Sequence, residues 1–253
     1  MGKKDTPFFV GYAPMPQGLK AFLALISMAL IAAFAAAAWA ISTSQNDPGP
    51  GAFRFDYGPQ TLTGVLEVTP EPMLHVTEVT DRVPTGQTIM LSSGNKIGLG
   101  PRGVPLDGQV VRARGIVLER GTLNMLQVQG RADALVAVED VEVPQVAYGD
   151  LGRWRLTGEI CDGKCLAGAM RPGRGLAHKA CANLCIIGGV PPVFVSTQPV
   201  AGTEFLMLGG QGRADRPQAM LDMVGEYVTL EGQVETRGDL VIFTPDYDTV
   251  VRP

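Results

Sequence analysis

Two stretches of the chain decide the fold: GQVVRARGIVLERGTL at residues 108–123 and GEYVTLEGQVETRGDL at residues 225–240. They align without a gap at an offset of 117 residues and share seven identities in the pattern G-x-x-V-x-x-x-G-x-V-x-x-R-G-x-L. A β-branched run interrupted by glycine is typical of a strongly bent strand, and the Arg-Gly pair before leucine is typical of a hairpin turn. The sequence therefore predicts a duplicated β-domain.

The remainder of the repeat locates an insertion. IML at residues 89–91 matches LML at 206–208 at the same offset, whereas LTG at 62–64 matches LTG at 156–158 at an offset of 94. The two offsets differ by 23 residues, so the second copy contains an insertion of about that length between Gly158 and Phe205. Short strands and one bent strand per copy predict an all-β fold of two tandem OB-like small β-barrels, with two small sandwiches as the alternative.

The N-terminal part predicts a membrane anchor. Residues 21–41 carry no charge, and a helix of that length crosses a hydrocarbon core of about 30 Å. Lys3, Lys4 and Lys20 precede the segment, so we expect the N-terminus in the cytoplasm. The AWA at residues 38–40 resembles a signal-peptide cleavage site, but the apolar run is longer than a signal-peptide core, which favours a retained anchor.

These features predict one order of domains. It comprises a cytoplasmic leader at residues 1–20, a transmembrane helix at 21–41, a linker at 42–52, a first β-barrel domain at 53–148, and a second at 149–253 that carries a Cys/His helix-loop insert at 161–191. The expected location is a bacterial inner membrane, crossed once, with both β-domains in the periplasm.

Composition excludes several classes of function. The 253 residues carry a net charge of −4, so nucleic acid is not an expected partner. The chain has two histidines, His75 and His178, which excludes most histidine-based metalloenzymes, and no paired acid and base stands out. We expect a protein that is not an enzyme, with His75 at the surface of a strand.

All four cysteines fall in the insert, with the spacing C-x3-C-x15-C-x3-C. Residues 176–187 favour a helix that the glycine pair at 188–189 would end. On such a helix His178, Cys181 and Cys185 share one face, because they stand at i, i+3 and i+7.

Three interpretations of the cysteines remain open. In the first, two disulfides join the two C-x3-C pairs, and no cofactor is expected. In the second, the insert binds a metal such as zinc or copper, with Met170 as an additional soft ligand for copper. The third is dithiol–disulfide exchange. The candidate metal ligands are Cys161, Cys165, His178, Cys181 and Cys185.

The string D-G-K-C-x4-M-x-P-G-x4-H-K-A-C-A-x2-C-I-x-G-G-V-P-P, residues 162–192, resembles a block in uncharacterised membrane-anchored bacterial proteins with OB-like barrels. The likeness covers about 30 residues strongly and the flanking barrels weakly. The resemblance implies that the insert is one unit, and it implies no named activity.

Anchor, duplicated barrel and single insert together predict an accessory or assembly subunit of a membrane redox or metal-handling system. Its partners would be membrane lipid, through the N-terminal helix, and an integral membrane or periplasmic protein complex contacted by the insert. The alternative is a periplasmic metal-binding or electron-transfer protein with Cys/His ligands.

Overall fold

The structure is a computed structural model that describes residues 17–44, 49–210 and 216–252. The chain divides into two compact units, Met1–Asp47 and Pro48–Pro253. The described part is mostly β, with one long helix in the first unit and two sets of strands in the second.

The described part of the first unit is a single apolar helix, α1 (Gln17–Ser44). Its segment Gly18–Thr43 is long and apolar enough to cross a membrane, and large side chains such as those of Phe34 and Trp39 are exposed. The helix is therefore compatible with a single-pass anchor. It extends past both ends of the predicted span, while residues 1–16 of the predicted leader lie outside the described residues.

The first set of strands follows α1. Its members are β1 (Ala52–Phe53), β2 (Gln60–Glu67), β3 (Met73–Val76), β4 (Thr88–Ser92), β5 (Val110–Arg120), β6 (Leu123–Val128) and β7 (Leu135–Ala137). Strand pairs run β5–β2–β3–β4–β6 and return to β5, and the β4–β6 pair alone in this circuit is parallel. The short strands β1 and β7 also pair with β5.

The second set repeats this order. Its members are β8 (Tyr148–Asp162), β9 (Pro192–Val200), β10 (Thr203–Leu208), β11 (Tyr227–Arg237) and β12 (Leu240–Val251). They form a closed barrel in which β10 and β12 are parallel, as β4 and β6 are in the first set. We refer to the two sets as the first and second barrels. The shared pairing order confirms the duplication predicted from the sequence.

The repeated glycines have a structural reason. A Cβ at Gly115 in β5 would collide with the carbonyl oxygen of Gln127, and one at Gly232 in β11 would collide with that of Thr244. The glycines therefore allow a close backbone approach between the bent strand and the strand that closes the barrel. The same explanation covers Gly64, whose Cβ would meet a carbonyl of β3.

Each barrel has its own apolar core, and a third cluster of buried residues joins the two barrels. Equivalent positions of the repeat contribute to this joint cluster: Met90 with Met207, and Leu123 with Leu240. The two copies therefore pack against each other through the same surface, a feature that the repeat alone did not indicate.

The prediction for His75 was wrong. His75 is buried, its Nδ1 lies 3.1 Å from Thr88 Oγ1, and its Nε2 lies 3.0 Å from Glu67 Oε2. Alternation along β3 places His75 on the opposite face from Leu74 and Val76, which predicted an exposed ring. The second barrel covers that face of β3, where Gly238 lies next to the ring. Tertiary packing thus overrides the alternation pattern.

Candidate metal centre

The insert occupies the connection between the first two strands of the second barrel. Residues 163–191 join β8 to β9, whereas residues 68–72 join β2 to β3 in the first barrel. The insert folds as a π-helical turn (Cys165–Ala169), a 3₁₀ turn (Leu176–His178) and the helix α2 (Lys179–Ile187). This connection lies between Gly158 and Phe205, where the repeat predicts an insertion.

Local interactions explain the first turn of the insert. Asp162 ends β8, and its Oδ1 accepts a hydrogen bond of 2.8 Å from the backbone N–H of Cys165. Gly168 has φ of 135°, and a Cβ there would collide with the backbone of Ala52. The turn therefore packs against β1, and the Sγ of its Cys165 lies 4.0 Å from that of Cys185 in α2.

The helix α2 ends as predicted. The backbone N–H of Gly188 bonds to the carbonyl of Leu184 at 3.0 Å, and Gly189 has φ of 98°, which favours glycine. The face predicted for the helix lies toward the barrels: His178 and Cys185 are buried and Cys181 is partly exposed.

Four of the five predicted ligand residues lie close together, between α2 and the turn that contains Cys165. The donor atoms of Cys165, His178 and Cys181 lie within 4.8 Å of one another, and those of Asp162, Cys165 and Cys185 form a second such group. Cys165 belongs to both groups. We call the set of Cys165, His178, Cys181 and Cys185 the thiol cluster.

Distances within the thiol cluster suit a sulfur-bound ion. The Sγ atoms of Cys165 and Cys185 are 4.0 Å apart. With metal–sulfur bonds of about 2.3 Å, two sulfur ligands in a trigonal or tetrahedral site stand about 3.8 to 4.0 Å apart. The Sδ of Met170 lies 3.5 Å from Cys181 Sγ and brings a thioether to the edge of the cluster.

Cys161 stands apart from the thiol cluster. Its Sγ donates to a carboxylate oxygen of Glu159 at 3.2 Å, and the same carboxylate accepts the backbone N–H of Gly175 and pairs with Arg174. Burial raises the pKa of the Cys161 thiol well above its usual value, and the negative charge of Glu159 raises it further. Cys161 is therefore held in the protonated form.

His178 is held by a carboxylate. Its Nε2 lies 3.1 Å from Asp162 Oδ2, and both side chains are buried. A carboxylate on one ring nitrogen fixes the orientation of the ring and leaves the other nitrogen, Nδ1, for a ligand, as is common for metal-binding histidines.

Two lysines lie beside the thiol cluster, and sequence reasoning missed both. Lys96, in the loop after β4 of the first barrel, places Nζ 2.7 Å from Cys181 Sγ and 3.8 Å from Cys185 Sγ. Lys164 is buried, and its Nζ donates to the carbonyls of Ser93 and Asn95 in the same loop. Lys164 adjoins Cys165 in the sequence, but nothing in the sequence linked residue 96 to the insert.

Lys96 and the neighbouring thiols shift one another's pKa values. The hydrogen bond that Cys165 donates lowers the pKa of Cys185, and the ammonium of Lys96 lowers it further against the effect of burial. The pKa of Cys165 rises correspondingly, because this thiol retains the proton of the pair. The hydrogen bond to Cys181 raises the pKa of Lys96, which keeps its charge.

A cavity of about 560 Å³ opens beside the thiol cluster. Its wall includes the side chains of Cys165, Cys185, Met170, Lys96 and Lys164. A site next to such a cavity can exchange a ligand with solvent or with a partner, unlike a closed structural site.

All four cysteines are free thiols in the structure. Cys165 and Cys185 are a pair across the two C-x3-C motifs, but their 4.0 Å separation is about twice the length of a disulfide bond. Comparisons with protein-family models, curated proteins and solved structures give no match to this chain. The site itself must therefore carry the functional argument.

Proposed function

We propose that the protein is a membrane-anchored accessory subunit of a metal-handling system, and that the thiol cluster binds the metal ion. The observation that carries this proposal is the convergence of three thiols, an imidazole and a thioether beside a cavity. Sulfur and imidazole donors at such spacing are the ligands of zinc and copper in proteins.

The architecture that we propose around this site is two tandem OB-like barrels behind a helical anchor. The circuit of five strands with one parallel closing pair, present in both copies, supports OB-like barrels. The N-terminus would lie in the cytoplasm of a bacterium and the barrels in the periplasm, and the lysines at positions 3, 4 and 20, before the apolar run at 21–41, support this orientation.

The insert also offers a surface for a partner. Leu176, Leu184 and Ile187 are each more than half exposed on the insert, although they are large and apolar. Exposed apolar side chains beside a metal site support a contact with a membrane protein that receives or supplies the ion.

Metal content of purified variants tests the proposed site. The full chain would be purified in detergent under reducing, oxygen-free conditions, loaded with zinc or cuprous ion, desalted and analysed by inductively coupled plasma mass spectrometry. We expect about one bound equivalent in the wild type, and loss of most of the bound metal from Cys165→Ser and Cys185→Ser because each removes a thiolate ligand.

Cys161→Ser is the matched control, because Cys161 is also buried but lies outside the thiol cluster. It should retain the metal. If the wild type binds no ion, or if Cys161→Ser loses it as Cys165→Ser does, the proposed site is wrong.

The partner contact is tested by crosslinking in native membranes. A photoreactive residue replaces Leu184 on the insert or, as a control, Val79, which is equally apolar and exposed on the first barrel. We expect a specific crosslink to a membrane metal or redox protein from position 184 alone. Equal crosslinking from position 79 would contradict a contact through the insert.

A further inference from the structure

We propose that the ion bound by the thiol cluster is cuprous copper, held by the sulfurs of Cys165, Cys181 and Cys185 with the thioether of Met170 at the edge of the site. This inference rests on the proposed metal function and names the ion. Two features of the structure carry it: the donor atoms and the access to the site.

The donor atoms favour a soft ion. Thioether sulfur is a ligand for Cu(I) and is not among the usual ligands of Zn(II), which takes thiolate, imidazole and carboxylate. Met170 Sδ lies 3.5 Å from Cys181 Sγ, and Met170 shares the cavity wall with Cys165 and Cys185. No described element covers the Met170 side chain, which is 44% exposed.

The two ions would use different parts of the cluster. Zn(II) would select a group that contains a nitrogen or oxygen donor: Cys165, His178 and Cys181, or Asp162, Cys165 and Cys185. Cu(I) would select the sulfur atoms, and His178 would remain paired with Asp162 as a positioning residue. The first coordination shell therefore distinguishes the two ions: nitrogen or oxygen together with sulfur for zinc, sulfur alone for copper.

A lysine stands beside the sulfurs. Each thiol that binds the ion releases its proton to solvent. The Nζ of Lys96 lies 2.7 Å from Cys181 Sγ and can donate a hydrogen bond to that sulfur once it has lost its proton.

Access through the cavity makes the bound copper exchangeable. The cavity of about 560 Å³ reaches Cys165, Cys185 and Met170, so a donor with its own thiol or thioether could approach the ion from solvent. Exchange by successive replacement of sulfur ligands needs no change in the oxidation state of copper.

Competition titrations on the full chain test the choice of ion. The reduced, oxygen-free protein in detergent is titrated with Cu(I) against bicinchoninate and, separately, with Zn(II) against a chromophoric chelator. We expect one tight Cu(I) equivalent whose copper K-edge X-ray absorption shows sulfur neighbours only, and much weaker binding of Zn(II).

One variant tests the donor argument. Met170→Leu keeps the size of an exposed side chain and should weaken Cu(I) binding about tenfold while leaving Zn(II) binding unchanged. Val79→Ala, an exposed change on the first barrel, should alter neither affinity.

The outcomes distinguish this inference from the proposed function. Nitrogen in the copper shell, equal effects of Met170→Leu on both ions, or tighter binding of Zn(II) would each overturn the assignment of copper and leave the metal function standing. Binding of neither ion would overturn both.

Discussion

The first and second barrels share a strand order, yet the equivalent ends of β2 and β8 carry different chemistry. In the repeat, Glu67 at the end of β2 corresponds to Cys161, one residue before the end of β8. Glu67 forms an ion pair with Arg237 of the second barrel, and its Oε2 lies 3.0 Å from Nε2 of His75. Cys161 is instead part of the joint apolar cluster.

The insert explains this difference. Where β2 is followed by a short connection, β8 continues into the insert, and Cys165, Leu166, Ala167 and Cys185 fill part of the cluster between the barrels. A duplicated fold can thus change one copy of an interface from charged to apolar by adding a segment. The insert is consequently a part of the core as well as the carrier of the site, and its deletion would not test function cleanly.

The largest effect is expected from the glycines that both barrels share. Gly115→Val and Gly232→Val should each lower the free energy of unfolding by more than about 4 kcal/mol, because the new side chain meets backbone that cannot rotate away. Chemical denaturation of the full chain in detergent measures this.

Gly130→Ala, at a glycine with open space around it, is the control and should be close to neutral. A large difference between Gly115→Val and Gly232→Val would show that the two barrels do not bend for the same reason.

The next largest effect tests whether the insert supports the packing of the two barrels or is only attached at their surface. Leu166 is 1% exposed in the joint cluster, so Leu166→Ala should cost about 3 kcal/mol of unfolding free energy. Leu184→Ala changes the same residue type on the exposed side of the insert and should cost less than about 0.5 kcal/mol. Equal and small costs would mean that the insert does not support the interface between the barrels.

The sequence was sufficient for features that depend on local pattern. The glycines at 115 and 232, the helix that ends at Gly188, and the shared face of His178 and Cys185 all follow from spacing alone. Contacts between distant segments could not be predicted in this way. Lys96 and Cys181 are 85 residues apart, and the residues around Lys96 contain no pattern that predicts a contact with a thiol. The burial of His75 was missed for the same reason.

Substitutions in the Arg-Gly turns of the two copies should lower the free energy of unfolding by less, and by different amounts in the two barrels. In the second barrel Asp239 Oδ1 accepts the backbone N–H of Thr88 at 2.6 Å, whereas at the equivalent position of the first barrel Thr122 shares a hydrogen bond of 2.5 Å with Thr203. Asp239→Ala should cost about 2 kcal/mol and Thr122→Val about 1 kcal/mol, because a charged acceptor makes the stronger bond.

Thermal and urea unfolding of both variants measure this difference. A cost for Thr122→Val equal to or above that of Asp239→Ala would contradict the assignment of the stronger contact to the second copy.

The smallest effect depends on pH and concerns Glu67, the residue that distinguishes the end of β2. Burial would raise the pKa of this carboxyl, but His75 and Arg237 outweigh burial and lower it below its ordinary value of 4.5. A lowered folded pKa means that the carboxylate stabilises the fold above about pH 4.5, and that this contribution is lost as the pH falls through the folded value. Glu67→Gln should therefore cost on the order of 1 kcal/mol at pH 7, and the difference from wild type should vanish at the acid end. Glu231→Gln, which removes an exposed ion pair with Arg153, should show little effect at either pH. Urea unfolding between pH 7 and pH 3 measures this. If the difference in unfolding free energy between Glu67→Gln and the wild type stayed constant over this range, the charge of Glu67 would not stabilise the contact between the barrels at the end of β2.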